Sequence, residues 1–176
     1  MRARQLPLIL VIGVLLLAGC VPQPAEDPVE PAPSNTPVFA SEEEALAAAV
    51  AAYEDYLKVS DAIAADGGAN PERLKDLVTE EWYEKEVEVF QIIGDAGFHQ
   101  AGRSSSRNAE LQQYNEDQVI INVCADASET TYVDLNGVDV TSDERATLVT
   151  NEVLFEVDQG DLVLVSSTPW SELSLC

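Results

Sequence analysis

The stretch VIINVCA, residues 119–125, places Val119, Ile121, Val123 and Ala125 at every second position, which predicts a β-strand with one buried face. The same period of two recurs over residues 109–113, 149–157 and 162–165. Asp158-Gln159-Gly160 separates the last two runs and is typical of a tight hairpin turn. The second half of the chain is therefore expected to form an antiparallel sheet of about four strands.

A helical pattern precedes these strands. Ser41-Glu42-Glu43-Glu44 is a capping box, in which the serine accepts from first-turn amides and Glu44 reaches back towards the cap. An apolar stripe follows at spacings of four, three and four residues, formed by Leu46, Val50, Tyr53 and Leu57. The pattern predicts a helix of about six turns that ends at Gly67-Gly68.

A second helical segment is expected to start at Asn70-Pro71, with asparagine at the cap and proline at the first position. After a break near Thr79, the helical spacing continues until Gly94 and Gly97. Leu74, Leu77 and Val78 are expected to face inward, and the positions that continue the helical spacing after the break are Trp82, Glu86, Val89, Phe90 and Ile93. Because helices precede strands, the chain is expected to be an α+β domain, with N-terminal helices packed on a curved antiparallel sheet.

The first 20 residues predict export and membrane attachment. Arg2 and Arg4 precede an apolar run over residues 6–17, which is the layout of a secretory signal peptide and is shorter than the ~20 residues of a membrane span. Leu17-Ala18-Gly19-Cys20 resembles a bacterial lipobox, which implies cleavage after residue 19 and acylation of Cys20. Two acyl chains would anchor the protein stably. A chance cysteine behind an ordinary leader, or an uncleaved anchor, is the alternative.

Proline and acidic residues dominate the segment that follows. Six prolines stand at positions 22, 24, 28, 31, 33 and 37. This composition cannot bury a core and favours extended chain, so residues 20–40 are expected to be a disordered tether that holds a domain of residues 41–176 off the membrane. A proline-rich ligand for a partner domain is the alternative, but Pro28-Val29-Glu30-Pro31 has acidic rather than basic neighbours.

The charge of the chain excludes one class of partner. Nine basic residues stand against 32 acidic ones, for a net charge of −23, and without residues 1–19 seven basic residues leave a net charge of −25. Such a surface repels phosphate backbones, so no nucleic acid is expected as a partner. The same repulsion disfavours lying flat on an anionic bilayer.

The cysteine count agrees with an exported domain. If Cys20 is acylated, Cys124 and Cys176 remain as an even pair, and a disulfide between them would pin the C-terminal tail to the sheet. The alternatives are a buried free Cys124 with a frayed tail, or a bridge between two molecules.

Several of these features together resemble small extracytoplasmic lipoproteins of actinobacteria. They are the lipobox, the tether, the long first helix, Trp82-Tyr83, the residues 97–102 (GFHQAG), Val123-Cys124-Ala125-Asp126 and the terminal Cys176. The resemblance implies the cone-shaped α+β fold of nuclear transport factor 2-like and polyketide-cyclase-like domains, a fold that hosts both enzymes and binding modules. Such domains often carry a tryptophan in the last strand, whereas Trp170 lies further on, so the register of that strand stays open.

A cone of this kind could hold a small-molecule pocket. Its candidate lining residues are Tyr53, Tyr56, Trp82, Phe90 and the sole histidine, His99. No catalytic residue is assigned, because these residues also suit core and junction positions and Ser104-Ser105-Ser106 has no histidine partner nearby in the sequence. A calcium site is a further alternative, since Asp134, Asn136 and Asp139 place oxygen ligands in one loop together with Asp143 and Glu144, but their spacing is not that of an EF-hand.

The sequence therefore favours a lipid-anchored lipoprotein on the extracytoplasmic face of the cell membrane. We expect a non-enzymatic module, without a cofactor, that binds an envelope protein or a small ligand. A pocket enzyme of the polyketide-cyclase or isomerase type is the alternative.

Overall fold

The computed structural model describes residues 38–172 and 174–176, in which two α-helices pack against antiparallel sheets. The helices are α1 (Glu42–Ala65) and α2 (Glu80–Ala96). The strands are β1 (His99–Ala101), β2 (Ser105–Tyr114), β3 (Gln118–Asp126), β4 (Thr131–Val133), β5 (Leu148–Asp158) and β6 (Asp161–Pro169). The predicted α+β class is confirmed. The predicted signal peptide, Cys20 and the tether up to residue 37 lie outside the described residues.

Helix α1 begins at the predicted cap. The backbone N–H of Glu44 donates to Ser41 Oγ over 3.2 Å, and the N–H of Ala40 donates to the Glu44 carboxylate over 2.7 Å. Phe39, two residues before this cap, is already buried, so the core begins just before the helix. The helix ends ahead of Gly67 and Gly68, whose positive φ angles reverse the chain.

The buried stripe of α1 lies one position earlier than the large side chains predict. Ala45 and Ala49 are fully buried, whereas Leu46, Val50 and Leu57 are half-buried on the flank. Small side chains at the centre of the contact let the helix backbone approach the sheet closely. The prediction that centred the stripe on the leucines and the valine was therefore wrong, although Tyr53 is buried as expected.

The second helical segment consists of two pieces. Pro71–Leu74 forms a 3₁₀-helix, and the predicted cap at Asn70 is wrong because this residue has a left-handed backbone and its side chain caps nothing. The predicted break is confirmed, since Thr79 caps α2 by accepting from the Trp82 N–H over 3.4 Å. Phe90 and Ile93 set the buried face of α2, and Val89, which shares the predicted helical spacing, is 49% exposed.

The main sheet has the strand order β2-β3-β5-β6, and every neighbouring pair is antiparallel. Val119, Ile121 and Val123 of β3 are fully buried, as their alternation predicts. Gln159 and Gly160 both have positive φ and form the predicted tight turn between β5 and β6. The pairing of Asp158 with Asp161 next to this turn sets the register that Trp170 left open.

The two remaining strands form a separate small sheet. β1 pairs with β4 in antiparallel register, between His99 and Val133 at one end and Ala101 and Thr131 at the other. After β4 the chain turns at Asn136-Gly137, where the Asp134 N–H donates to the carbonyl oxygen of Val138 over 2.9 Å. This polar segment therefore forms a small hairpin, and β1 extends it by pairing with β4.

A disulfide fastens the C-terminal tail to the sheet face opposite the helices. Cys124 and Cys176 are joined, with their Cα atoms 5.2 Å apart, so the predicted pairing is confirmed. The Leu175 N–H donates to Thr150 Oγ1 over 2.9 Å, and the Asn108 side chain donates to the Leu175 carbonyl oxygen over 2.8 Å. The tail therefore crosses the outer face from β6 to β2, and the helices cover the inner face.

Candidate functional site

Two tyrosines of α1 form the centre of a polar cluster between the helices and the sheet. The rings of Tyr53 and Tyr56 stack with centroids 5.9 Å apart, and both residues are buried. The Tyr56 hydroxyl donates to Glu86 Oε1 of α2 over 3.1 Å. We call the set Tyr53, Tyr56, Trp82, Glu86, Asn151 and Ser167 the interior polar cluster.

Strands β5 and β6 complete this cluster from the inner face of the sheet. The hydroxyls of Tyr53 and Ser167 share a hydrogen bond of 3.2 Å, and Asn151 Nδ2 donates to Ser167 Oγ over 3.1 Å. The Oδ1 atom of Asn151 is buried without a partner among the described residues. The alternation of β5 had placed Asn151 on its inward face, so this residue could have been recognised from the sequence as a buried polar group.

Burial dominates the electrostatics of the interior polar cluster. It raises the pKa of Tyr56 well above the ordinary 10.0, and the nearby Glu86 carboxylate adds to this rise. It also raises the pKa of Glu86 above 4.5, although the hydrogen bond from Tyr56 opposes this change. The indole of Trp82 is close enough to lower the pKa of Tyr56 slightly, but its Nε1 atom is buried without a hydrogen bond of good geometry.

The five predicted pocket residues are only partly brought together. Tyr53, Tyr56 and Trp82 lie in the interior polar cluster, and Phe90 is a core residue whose backbone packs against Gly68. His99 lies beyond the C-terminal end of α1, where its Nδ1 atom and the carbonyl oxygen of Ala65 are 3.0 Å apart. Nine residues of helix separate Tyr56 from Ala65, a rise of about 13 Å, so His99 does not join the Glu86 carboxylate.

A second candidate site is an apolar surface at the C-terminal end of α2. Ile92 is 69% exposed there, and Leu135 is 79% exposed where it approaches Gly97 at the end of the helix. Val138 and Val140 of the same loop are 57% and 38% exposed. We call Val89, Ile92, Leu135, Val138 and Val140 the apolar surface. Isolated exposed apolar residues are common, whereas a cluster of them is a candidate interaction site.

A groove opens within this surface. Its volume is about 260 Å³, and its walls come from α2, β4 and the loop that follows: Ile92, Ile93, Phe98, Tyr132, Val140, Thr141, Ser142 and Arg145. Arg145 forms part of the groove and ties the loop down, because its guanidinium donates to Thr130 Oγ1 over 2.6 Å and to the Thr130 carbonyl oxygen over 2.7 Å. These hydrogen bonds fasten the loop after β4 to Thr130, the residue that precedes β4.

The apolar surface lies at the far end of the domain from the point where the described chain begins. Gly94, near the end of α2, approaches Gly67 at the C-terminal end of α1, whereas Phe39 precedes the N-terminal end of α1. The 24 residues of α1 span about 36 Å. The apolar surface is thus separated from Phe39 by the whole length of α1.

The carboxylates of the candidate calcium ligands Asp134 and Asp139 accept hydrogen bonds from backbone N–H groups of their own loop. Asp134 Oδ1 accepts from the N–H groups of Asn136 and Val138, over 2.8 and 2.9 Å, and Asp139 Oδ1 accepts from the Thr141 N–H over 2.8 Å. The backbone hydrogen bond from Val138 is the main reason why the pKa of Asp134 is lowered. Among residues 38–172 and 174–176, no three His, Cys, Asp or Glu side chains converge as a metal-binding group.

Comparisons with known proteins give information on the fold alone. No family model matches the chain, and no curated protein matches it. No helix within the described part of the chain is long and apolar enough to cross a membrane. The structure is similar to the crystal structure of the intermembrane space region of chloroplast protein ARC6, with a TM-score of 0.56 and 7% sequence identity. The similarity covers 72% of this chain and 97% of that one, and at this identity it shows a shared fold alone.

Proposed function

We propose that the protein is a lipid-anchored, non-enzymatic interaction module on the extracytoplasmic face of the cell membrane. The lipobox-like Leu17-Ala18-Gly19-Cys20 supports the anchor, and the proline-rich segment supports a stalk. The Cys124–Cys176 disulfide supports an oxidising compartment, because such cross-links persist outside the cytoplasm. The resemblance to actinobacterial lipoproteins of the nuclear transport factor 2-like class agrees with this proposal.

One observation carries the interaction role, namely the apolar surface at the end of α2. Ile92 and Leu135 expose 69% and 79% of their accessible area, at a cost in solvation that the fold could have avoided with polar residues. Binding a partner would remove this area from water. The apolar surface lies away from the N-terminal end of α1. A partner could therefore reach this surface without approaching the bilayer.

The anchor is tested by fractionation of cells that produce the Cys20→Ala variant. We expect this variant in the medium or the soluble envelope fraction, because the acyl attachment point is lost, whereas the wild-type protein sediments with membranes. The variant Cys124→Ala with Cys176→Ala is the matched control, since it removes two cysteines but keeps the lipobox, and it should stay with the membrane. Retention of Cys20→Ala at the membrane would contradict the anchor.

The interaction role is tested by photo-crosslinking in intact cells. A photoreactive amino acid at Leu135 is expected to give a defined cross-linked species. The same amino acid at Leu148 should not, because Leu148 is equally apolar and 41% exposed but lies on the sheet face away from the helices. Adding Ile92→Asp to the Leu135 probe should abolish the adduct. Equal adducts at positions 135 and 148 would contradict a specific surface.

The alternative function, a pocket enzyme, has one observation in its favour. Glu86 is a half-buried carboxyl group with a raised pKa that contacts the Tyr56 hydroxyl, and such groups can act as general acids or bases. Screening ketone and enol substrates against the wild type and Glu86→Gln would test it. Turnover that Glu86→Gln eliminates would favour the enzyme, and turnover unaffected by this change would exclude Glu86 from the chemistry.

A further inference from the structure

Exposed carboxylates surround the apolar surface. On α2, Glu88 stands four residues before Ile92 and Asp95 three residues after it, so all three share one helix face. On the facing loop, three further exposed acidic residues flank Val140 and the groove: Asp139, Asp143 and Glu144. We call these five residues the acidic rim. The surface thus has an apolar centre and a rim of one charge sign.

None of the ion pairs among the described residues involves this rim, although the charge of Arg145 also acts on Asp139. Arg145 points its guanidinium at Thr130 and at the carbonyl oxygen of Ala127, and Lys85 pairs with Glu81 over 2.9 Å. The hydrogen bonds from Thr141 are the main cause of the lowered pKa of Asp139, so this carboxylate stays ionised at neutral pH. The rim therefore adds to the field of a chain whose net charge is −23.

We propose that the apolar surface binds a basic amphipathic segment of a partner protein, an inference that rests on the proposed interaction role. Apolar side chains of the segment enter the groove against Phe98 and Tyr132, and its Lys or Arg side chains lie over the acidic rim. An apolar centre surrounded by polar contacts is the usual arrangement of energetically important interface residues. The charges accelerate association and select the partner.

Charge and size disfavour the other occupants. A second copy would bring an identical acidic rim against the first, and an anionic bilayer would meet the same repulsion. A groove of about 260 Å³ is smaller than a typical small-molecule site, and Leu135 and Val138 extend the apolar area beyond its walls. A protein segment covers both the groove and this surrounding area.

The test measures binding of designed peptides to the full-length protein in non-ionic detergent. The probe is an 18-residue helical peptide of leucine and lysine with one apolar face. One matched peptide carries glutamate in place of lysine, and another carries serine in place of leucine. We expect only the leucine–lysine peptide to bind, with an affinity that falls as salt rises. Comparable binding of either matched peptide would overturn the inference.

Variants separate specific docking from general attraction to an acidic protein. Ile92→Asp adds negative charge, so attraction alone would strengthen peptide binding, whereas loss of the apolar centre should weaken it. The rim variant Asp139→Asn, Asp143→Asn, Glu144→Gln should weaken binding about tenfold. The control Glu156→Gln, Asp158→Asn, Asp161→Asn removes the same charge from the β5–β6 turn and should change binding less than about twofold. Equal losses in both triple variants would overturn the inference.

The cellular experiment distinguishes failure of the inference from failure of the proposed function. A Leu135 adduct whose partner segment lacks basic residues, or an adduct with a second copy of this chain, overturns the inference but keeps the interaction role. Binding of the wild-type protein to anionic vesicles that Ile92→Asp abolishes overturns the inference in favour of a membrane surface. The absence of any Leu135 adduct overturns the proposed function itself. A partner that cross-links through a segment of apolar and basic residues supports both.

Discussion

Glu86 lies where two opposing effects act on one carboxyl group. Partial burial disfavours its charged form, and the hydrogen bond from Tyr56 favours that form. Burial is the larger effect, so the pKa of Glu86 is raised above 4.5. The native state therefore holds this proton more tightly than the unfolded state does, and the stability of the protein is linked to the titration of Glu86.

The variant Glu86→Gln tests this linkage. In the wild type, the stability that Glu86 contributes is fully present below its unfolded pKa, near 4.5, and is lost as the pH rises through the raised folded pKa. Glutamine does not titrate and still accepts from Tyr56, so the variant lacks this loss. We expect its unfolding free energy, relative to wild type, to increase from pH 4 to pH 7 in urea titrations. A pH-independent difference would contradict the assignment.

Residue-scale features were predictable from the sequence when their cause was local. The cap at Ser41 and the break at Thr79 depend on neighbouring backbone amides, and both were predicted correctly. The burial of Ala45 and Ala49 depends on how closely the sheet approaches, which neighbouring residues do not reveal. The sequence therefore predicted the helical period of α1 correctly, but it placed the first part of the buried stripe one residue too late.

The C-terminal tail is the element whose attachment has the largest calculable effect on stability. Its disulfide joins residues 52 positions apart. Closing a loop of this size restricts the unfolded chain, and the chain-entropy model gives about 4 kcal/mol for the effect. The remaining hydrogen bonds of the tail, to Thr150 and Asn108, are too few to replace this cross-link.

The variant Cys124→Ala with Cys176→Ala is expected to lose about 4 kcal/mol of unfolding free energy. Guanidinium unfolding monitored by circular dichroism measures the difference. Cys20→Ala serves as the control, because it removes a cysteine outside the described domain and should leave the unfolding midpoint unchanged. Coincident midpoints for the double variant and the wild type would contradict a stabilising role.

Element-scale prediction succeeded for long periodic segments. Helix α1 and strands β3, β5 and β6 each contain enough residues for a period to be recognised. Strands β1 and β4 have three residues each, which is too short for any alternation, and their pairing joins positions about 30 residues apart. The sequence could suggest a hairpin near Asn136-Gly137, but not the strand against which it packs.

The whole molecule carries a large excess of negative charge. Residues 38–176 contain seven of the nine basic residues and 29 of the 32 acidic ones, and only three ion pairs occur among the described residues. Like charges held within one folded domain repel one another more strongly than in the expanded chain. Electrostatic repulsion should therefore oppose folding of this protein at neutral pH.

Salt is expected to stabilise the protein by screening this repulsion. Raising sodium chloride from about 0.01 M to about 0.5 M shortens the Debye length several-fold and should raise Tm at pH 7 by ~3 °C, the equivalent of about 1 kcal/mol. Differential scanning calorimetry measures the shift. The matched measurement close to the isoelectric point of about 4.1 should show little effect of salt. An equal shift at both pH values would point to a cause other than charge.

The candidate sites illustrate why function was harder to predict than fold. The apolar surface combines residues 89–92 of α2 with residues 135–140 of a loop, and the pairing of β1 with β4 helps to bring them together. Similarly, Tyr56 meets Glu86 because two helices cross the same sheet. Periodicity identified the helices and the sheet. The contacts between α2 and the loop, and between Tyr56 and Glu86, depend on how these elements pack in three dimensions, which a local sequence pattern does not reveal.

The disulfide also determines how the domain would respond to mechanical tension. The cross-link closes residues 124–176 into a covalent loop, so a pull between Val38 and the C-terminus can straighten the chain only as far as Cys124. At ~3.4 Å per residue, about 180 Å of chain length stays inextensible in force spectroscopy until the cross-link is reduced. Leu135, Val138 and Val140 lie inside this covalent loop. The Cys124–Cys176 disulfide therefore bears part of any load that is applied at these residues.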